Sequence, residues 1–366
     1  MAHTPPDSDT KSPVVSVIVP AYNAASTLEA TLLSICAQTL NDFEVIVVDD
    51  GSTDATPDIT AAFAQRDARI RIVSKPNSGV ADARNVAIHQ ARAPLIAPID
   101  ADDIWHPTYL EKLSRALSDA GERAVFAYAN FRIIDMNGDV LGSAPSYDMS
   151  GQVVNRLMIV NFVGNGSGMM FRRDVALELG AYERRLQHEF GAQGCEDWLL
   201  QSCLANRGDV VAVPEYLVGY RSVPGAMSEN ASRMARSRLH AVEILFQEVS
   251  CQHTGAKSLA SALIHTSCFR SEFHAANLGA SLKHLIVAIG NDPIGTCEAL
   301  SEILVSRIWG VARRLRRSLL PTRPTRRHSF EEFAPWEARK SMRNIFAGAR
   351  LRRAARWDAD SAPLAP

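Results

Sequence analysis

The apolar residues of this chain first appear in short β-branched blocks, each followed by a stretch in which they recur every three or four positions. Residues 14–19 (VVSVIV), 43–48 (FEVIVV), 70–73 and 95–99 are runs that suit buried strands. Behind the first run, Ser26-x-x-Glu29 reads as a capping box, and Leu28, Leu32, Ile35 and Cys36 follow on one helical stripe. Asp54 is placed to cap a second helix reaching about Gln65, with Ile59 and Phe63 turned inward. Residues 80–91 form a third, with Val80, Ala83, Ala87 and Ile88 on one face.

Alternating strand and helix predicts an α/β fold with right-handed crossovers and a mainly parallel sheet flanked by helices. Such sheets bind ligands at the carboxyl ends of their strands, which places residues 20–23, 49–52 and 100–103 on one rim. Further on, residues 125–131 and 169–172 read as strands and 197–205 as a helix, with Trp198, Leu199 and Cys203 on one side. Residues 230–305 are rich in Ala, Leu and Ser with few turn signals, the pattern of several packed helices. The expected organisation is a disordered leader (1–12), an α/β domain (13–228), a helical region (229–305) and a basic amphipathic or partly disordered tail (306–366).

With 46% hydrophobic and 22% charged residues among 366, the chain has an ordinary globular composition. No uncharged apolar run approaches the ~18 residues of a spanning helix, and the first residues carry no apolar signal core. The six cysteines form no Cys-x-x-Cys pair, which points away from zinc and redox motifs and toward a reduced, cytoplasmic setting. The net charge of −1 conceals an asymmetry: residues 306–357 hold 15 Lys/Arg against 3 Glu, whereas residues 1–305 hold 24 Lys/Arg against 35 Asp/Glu. In the tail, Ile303, Leu304, Ile308, Trp309, Val311, Leu315 and Leu319 are interleaved with Arg307, Arg313, Arg314, Arg316 and Arg317. That is the pattern of an interfacial membrane helix and equally of a solvated basic helix packed on the body, or of a disordered end. Ile345, Leu351 and Trp357 repeat it less regularly, so residues 303–357 are a candidate contact for an anionic membrane surface at the inner face of the cell membrane.

Asp100-Ala101-Asp102-Asp103 carries the most chemistry. Residues i and i+2 of an extended chain share a side, so Asp100 and Asp102 can converge on one ligand. Two carboxylates with water suit Mg²⁺ or Mn²⁺, which in turn holds a diphosphate. A solvated acidic turn, with Asp103 capping the helix near Pro107, is the plainer alternative. Asp49-Asp50-Gly51-Ser52 reads equally as a simple turn or as a carboxylate for a base or ribose.

VSVIVPAYNA, VVDDGSTD, GVADARNVAIHQARAPLIAPIDADDIWHP, GMMFRRDVALELGAY, GCEDWLL and YRSVPGAMS occur in that order over residues 13–228. This succession resembles the family 2 glycosyltransferases, inverting enzymes of GT-A fold. The resemblance implies a nucleotide-sugar donor, with a UDP-sugar expected, a divalent cation (Mg or Mn), and a saccharide or lipid-linked acceptor, in surface polysaccharide synthesis. It implies that Pro20, Tyr22 and Asn23 lie at the nucleotide pocket, with Tyr22 against the base, and that Asp50 accepts from the pyrimidine or ribose. Arg84 and Asn85 would line the pocket near ribose and phosphates, Asp100 would lie near the ribose, and Asp102 would bind the metal. Of the pair Glu196-Asp197, Asp197 is the expected general base and Glu196 the alternative. Asp197 also stands where a helix cap would.

The Gly-rich run 164–168 lacks the Lys-Ser/Thr of a phosphate loop and is expected to give room for an acceptor or a close backbone approach. Cys195 has no evident activator, His106 and His188 are isolated, and Trp105 reads as packing or a sugar platform. Two other functions compete. A nucleotidyltransferase acting on sugar phosphates would show a cationic loop after the first strand, where this chain has PAYNAAST. A non-catalytic protein using the basic tail on membrane or nucleic acid would leave the acidic motifs idle, and an acidic body repels nucleic acid; no nucleic-acid partner is expected.

Overall fold

The structure, a computed structural model, describes residues 12–192, 194–223, 231–249, 253–319, 329–330 and 342–360. Strand β1 (Val15–Ala21) lies between β2 (Phe43–Asp49) and β4 (Leu95–Pro98) and is parallel to both, while β2 pairs in parallel with β3 (Ile70–Ser74). Helices α1 (Leu28–Cys36), α2 (Thr56–Ala64) and α3 (Val80–Gln90) make the crossovers. Val15, Val17 and Val19 enter one core with Leu28, Leu32 and Ile35 of α1, whereas Ile18 enters a second core with Ala83, Ala87 and Ile88 of α3. Both faces are covered, so these strands read as unbroken apolar runs. β1 continues through Pro20 because its pairing with β4 has stopped at Ile18, where Pro98 is the partner, and no N–H is needed beyond that point.

Beyond β4 the sheet becomes mixed. Its order is β3-β2-β1-β4-β8-β6-β9-β5, with β5 (Ile104–Trp105), β6 (Ala124–Ile134), β8 (Met169–Arg172) and β9 (Asp209–Arg221), and β7 (Val140–Ser143) pairs with β6. β8 runs antiparallel to β4 and β6, and β5 antiparallel to β9. Helix α4 (Tyr109–Ala120) adds Tyr109, Leu110, Leu113 and Leu117 to the core beneath α1. The opposite core is closed by α5 (Val154–Ile159), α6 (Arg173–Glu178), α7 (Arg185–His188), α8 (Glu196–Ala205), α9 (Ala231–Glu248) and α10 (Thr254–His274).

Helices α11 (Leu278–Asn291), α12 (Pro293–Leu319) and α13 (Met342–Asp360) complete the described chain. The boundary expected at residue 306 falls inside α12, which is continuous across it. Within 303–357, α13 is docked on the body, the packed-helix alternative for this stretch. Asp358 accepts from Arg156 Nε at 2.6 Å and from the Asn155 N–H at 2.8 Å, and Trp357 stacks on His253 with centroids 5.3 Å apart. Arg350 pairs with Glu302 at 2.5 Å and Arg353 with Glu298 at 3.3 Å, so these cations are matched within the fold. The side chains of Arg313, Arg314, Arg316 and Arg317 and the leader 1–11 lie outside the described residues. Among the described residues, no helix is long and apolar enough to cross a membrane.

Asp358→Ala removes the acceptor of both Arg156 and the Asn155 amide. It is expected to cost about 2–3 kcal/mol in chemical denaturation; an unchanged midpoint and slope would contradict the docking of α13.

Candidate active site

Parallel β1, β2, β3 and β4 all end at one rim, and the loops that follow them are tied to one another. Asn23 (φ 48°) accepts from the Thr53 N–H at 2.8 Å, while its own N–H donates to Ser52 Oγ at 2.9 Å. Asp54 is not the cap of α2, a place taken by Ala55; its Oδ1 accepts from the Thr56 N–H at 3.0 Å and its Oδ2 from the Ala25 N–H at 3.0 Å. The capping box at Ser26 does not form, because α1 starts behind Thr27, whose hydroxyl donates to Ala101 O at 2.9 Å. Thr31, one turn on, donates to Asp103 O at 2.8 Å. The polar edge of α1 therefore fastens the acidic loop after β4 instead of capping its own helix.

That loop is held from the other side as well. Ser167 Oγ accepts the Asp100 N–H at 3.0 Å and donates to Asp103 Oδ2 at 2.5 Å. The Arg221 N–H, at the end of β9, donates to Asp103 Oδ1 at 2.9 Å, and Arg221 Nε donates to Asp102 O at 2.7 Å. Asp103 is fully buried, and burial followed by the neighbouring Asp102 and Asp100 pushes its pKa well above the usual carboxylate range. It anchors the loop and does not cap α4, whose N-cap is Thr108.

Asn85 is buried and clamps Tyr182, donating to its carbonyl at 2.9 Å and accepting from its N–H at 2.8 Å, which uses one of two donors and one of two acceptor positions of its amide. Arg84 is 3% exposed and reaches Asp100 at 2.5 Å through one nitrogen and Glu196 at 2.7 Å through the other, with Tyr182 against its face at 5.0 Å. Burial opposes its charge, but Asp100, Glu196 and Asp197 outweigh that and hold it protonated. A Cβ on Gly166 would come within 2.9 Å of Arg84 Nη2, which explains a glycine there.

Asp50 is buried too, accepting from the Ser78 and Gly79 N–H groups at 3.0 and 2.7 Å and pairing with Lys75. Three of roughly four acceptor positions of a carboxylate are thus in use. Pro20 is buried within β1, while Tyr22 is 54% exposed on the rim. Trp105 is packing: it stacks on Tyr109 at 4.2 Å and donates to Ser167 O at 2.8 Å. His188 pairs with Asp82 at 2.7 Å, and burial pushes the Cys195 thiol up to about 12.

Two acids stand apart. Among the described residues, Asp102 has no ion-pair partner and its carboxylate accepts nothing from another residue; burial, then Asp100, pushes its pKa up to about 6. Asp197, on the first turn of α8, accepts only from the adjacent Trp198 N–H at 2.7 Å, and burial, then Glu196, likewise pushes it up to about 6. The helix cap is Cys195, at φ 81°, not Asp197. Asp102 fits a hard cation: Arg221 and Arg84 only partly offset its burial and the repulsion from Asp100, and a cation would relieve both. Among the described residues no group of three or more ligands forms an all-protein cage. Such a cation would complete its shell with water and phosphate oxygens, the habit of Mg²⁺.

Asp197 also lines a cavity of about 340 Å³ reaching α5, α9 and α10. Another cavity, of about 1050 Å³, lies between α8, α9 and residues 179–184 and is lined by none of these rim acids.

The fold is that of the GT-A glycosyltransferases. Mannosyltransferase PcManGT from Pyrobaculum calidifontis, solved with GDP-Man and Mn²⁺, superposes with a TM-score of 0.54 over 82% of this chain and 84% of that one, at 20% identity. Residues 16–180 match the family model described as glycosyl transferase family 2. The uncharacterized glycosyltransferase EpsJ of Bacillus subtilis is 40% identical over 102 residues, 28% of this chain and 30% of its own length. The chondroitin synthase of Pasteurella multocida is 32% identical over 151 residues, 41% of this chain and 15% of its own. The chain thus carries a glycosyl transferase family 2 domain, and it spans under a third of the length of these two relatives.

Ser167, Arg221, Lys75, Thr27 and Thr31 were not singled out by the sequence. Ser167 and Arg221 do fall inside motifs that were noticed, the Gly-rich run and YRSVPGAMS. Arg84→Lys is not a conservative change here, because one ammonium cannot reach both carboxylates as the planar fork does. Arg84→Met leaves Asp100 and Glu196 without their cation and is expected to destabilise the fold by about 3–5 kcal/mol; an unaltered denaturation curve would contradict the bridge.

Proposed function

We propose that the protein is an inverting glycosyltransferase that moves a sugar from a nucleoside-diphosphate donor, with a UDP-sugar expected, to a hydroxyl of a saccharide or lipid-linked acceptor in polysaccharide synthesis. The observation that carries this reading is selective pairing: Asp50, Asp100, Asp103 and Glu196 are each held by a cation or a hydrogen-bond donor from elsewhere in the fold, while among the described residues Asp102 has no ion-pair partner and Asp197 accepts only from the adjacent Trp198 N–H. Asp102 would hold a divalent cation, Mg²⁺ or Mn²⁺, whose charge stabilises the departing diphosphate. Tyr22 is exposed where a nucleobase would lie, and Asp50 shapes the 75–79 loop around the same pocket. Asp197 takes the proton of the acceptor hydroxyl as its oxygen attacks the anomeric carbon from the side opposite the leaving nucleotide. Glu196, bound to Arg84, is the positioning member of the pair and not the base.

A peripheral membrane location at the inner face also belongs to this reading, with α11 added to the α12 part of the 303–357 stretch. Helix α11 turns small Ser281 and Ala288 inward and leaves Leu278, Leu282, Ile286 and Ile289 exposed, while α12 exposes Ile294, Leu304 and Ile308. In sequence that apolar stripe continues into the arginine cluster 313–317, a pairing suited to anionic lipid.

In a thermal-shift experiment, UDP with Mn²⁺ is expected to stabilise the protein and Asp102→Ala to lose the Mn²⁺-dependent part; equal stabilisation would move the metal elsewhere. Asp197→Asn is expected to keep UDP binding and lose transfer by roughly 100- to 10,000-fold, and full turnover would assign another base. Because the base must be unprotonated and its pKa is raised from 3.8 to about 6, kcat/KM is expected to fall as pH drops through about 6. A profile flat down to pH 4.5 would contradict it. Leu282→Glu/Ile286→Glu is expected to abolish co-sedimentation with phosphatidylglycerol vesicles, whereas retention would exclude this face.

A further inference from the structure

Helix α11 is fastened to the fold by a face of small residues. Ser281 and Ala288 are its buried positions, Leu285 and Val287 are half-buried, and Leu278, Leu282, Ile286 and Ile289 lie outside. Two polar contacts tie it to α10: Ser281 Oγ donates to Phe269 O at 3.1 Å, and His284 Nδ1 meets His265 Nδ1 at 2.9 Å. A helix with few fully buried apolar residues belongs to the low-stability end of a fold, so a single polar contact weighs heavily in its attachment.

The imidazole pair is sensitive to the number of protons it holds. Its ring centroids lie 5.1 Å apart and the two nitrogens face each other, so one must donate while the other accepts. A first added proton leaves that bond intact. A second gives both Nδ1 atoms a hydrogen and sets two cations in contact. The charged groups that reach the pair are Glu243 of α9 on the His265 side, and Glu272 of α10 with Lys283 of α11 on the His284 side. Glu272 already accepts from Asn277 Nδ2 at 3.0 Å and is opposed by Lys283, while Arg307 of α12 is turned to His274 at 2.6 Å. Burial, then the partner ring, holds His265 below its usual 6.5, and burial does the same for His284. The folded state therefore binds fewer protons here than the unfolded chain: the attachment is complete above about 6.5 and weakens as pH falls below it.

We infer that His265 and His284 form a proton-operated latch between α10 and α11, which holds α11 down while the pair shares its hydrogen bond and frees the helix, with its apolar outer face, once both rings are charged. Histidine suits the task because its charge changes within the range of pH that a protein meets. The latch concerns only how α11 is fastened, and it stands or falls apart from the transferase reading.

The test is amide hydrogen exchange of the full chain at about pH 7.5 and about pH 5, read as protection factors corrected for the intrinsic pH dependence of exchange. On acidification the amides of α11 are expected to lose protection at least about tenfold while those of β1 and β2 keep theirs. His284→Gln, which cannot take the second proton, is expected to hold the α11 amides within about threefold across the same range. In the unmodified protein the imidazole nitrogens, followed by NMR, are expected to titrate in two steps at least about one pH unit apart. Unchanged α11 protection in the unmodified protein, the same loss in His284→Gln, or a loss shared with β1 and β2 would overturn the inference. So would a single imidazole step near 6.5, a result that needs no variant to fold.

Discussion

One guanidinium holds this rim together. Arg84 is buried against two carboxylates that come from opposite ends of the domain: Asp100 from the loop after β4 and Glu196 from the start of α8. Removing a guanidinium from water costs several kcal/mol, and only well-placed partners repay it. Its planar fork matches one carboxylate with each arm, so the distance between the acidic loop and the α8 turn is fixed by the size of a single side chain. Gly166 is the complementary constraint, since a side chain there would occupy the arginine's space.

Fixing that distance leaves the neighbours unmatched. Asp100 and Glu196 share Arg84, whereas Asp102 and Asp197, each one or two residues along, have no ion-pair partner among the described residues, and burial, then the neighbouring acid, pushes both toward neutrality. Such perturbed groups in a cleft are where metal binding and proton transfer are usually found. The supports are ordinary: hydroxyls of Thr27, Thr31 and Ser167 and the backbone of Arg221 pin the acidic loop from both sides of the sheet. What distinguishes the site is which carboxylates those supports leave out.

The α/β half was legible because strands buried on both faces leave unbroken apolar runs, and β1, β2, β3 and β4 emerged within a residue or two of their expected bounds. In the mixed second half β8 was read at its observed bounds and β6 in part, but the pairing order was not, and β5 is too short for periodicity to show. Motifs brought the rim residues into view but not the contacts each one makes. Arg84 and Asn85 sit in a recognisable ARN, yet nothing in spacing says that they face carboxylates and a backbone and not a ligand. The capping box failed because Thr27 had a tertiary partner in Ala101 that outcompeted the local bond. In the tail, charge counting could not foresee that Arg350 and Arg353 find acids on α12, because that pairing depends on how α13 docks.

The bridge is tested most directly by a double-mutant cycle between Asp100→Asn and Glu196→Gln, with folding stability measured by chemical denaturation. If both acids act through the same buried arginine, the two losses should depart from additivity by about 1–3 kcal/mol. Losses that sum within about 0.5 kcal/mol would show the two walls to be independent, and the account of a shared cation setting the site's geometry would fail.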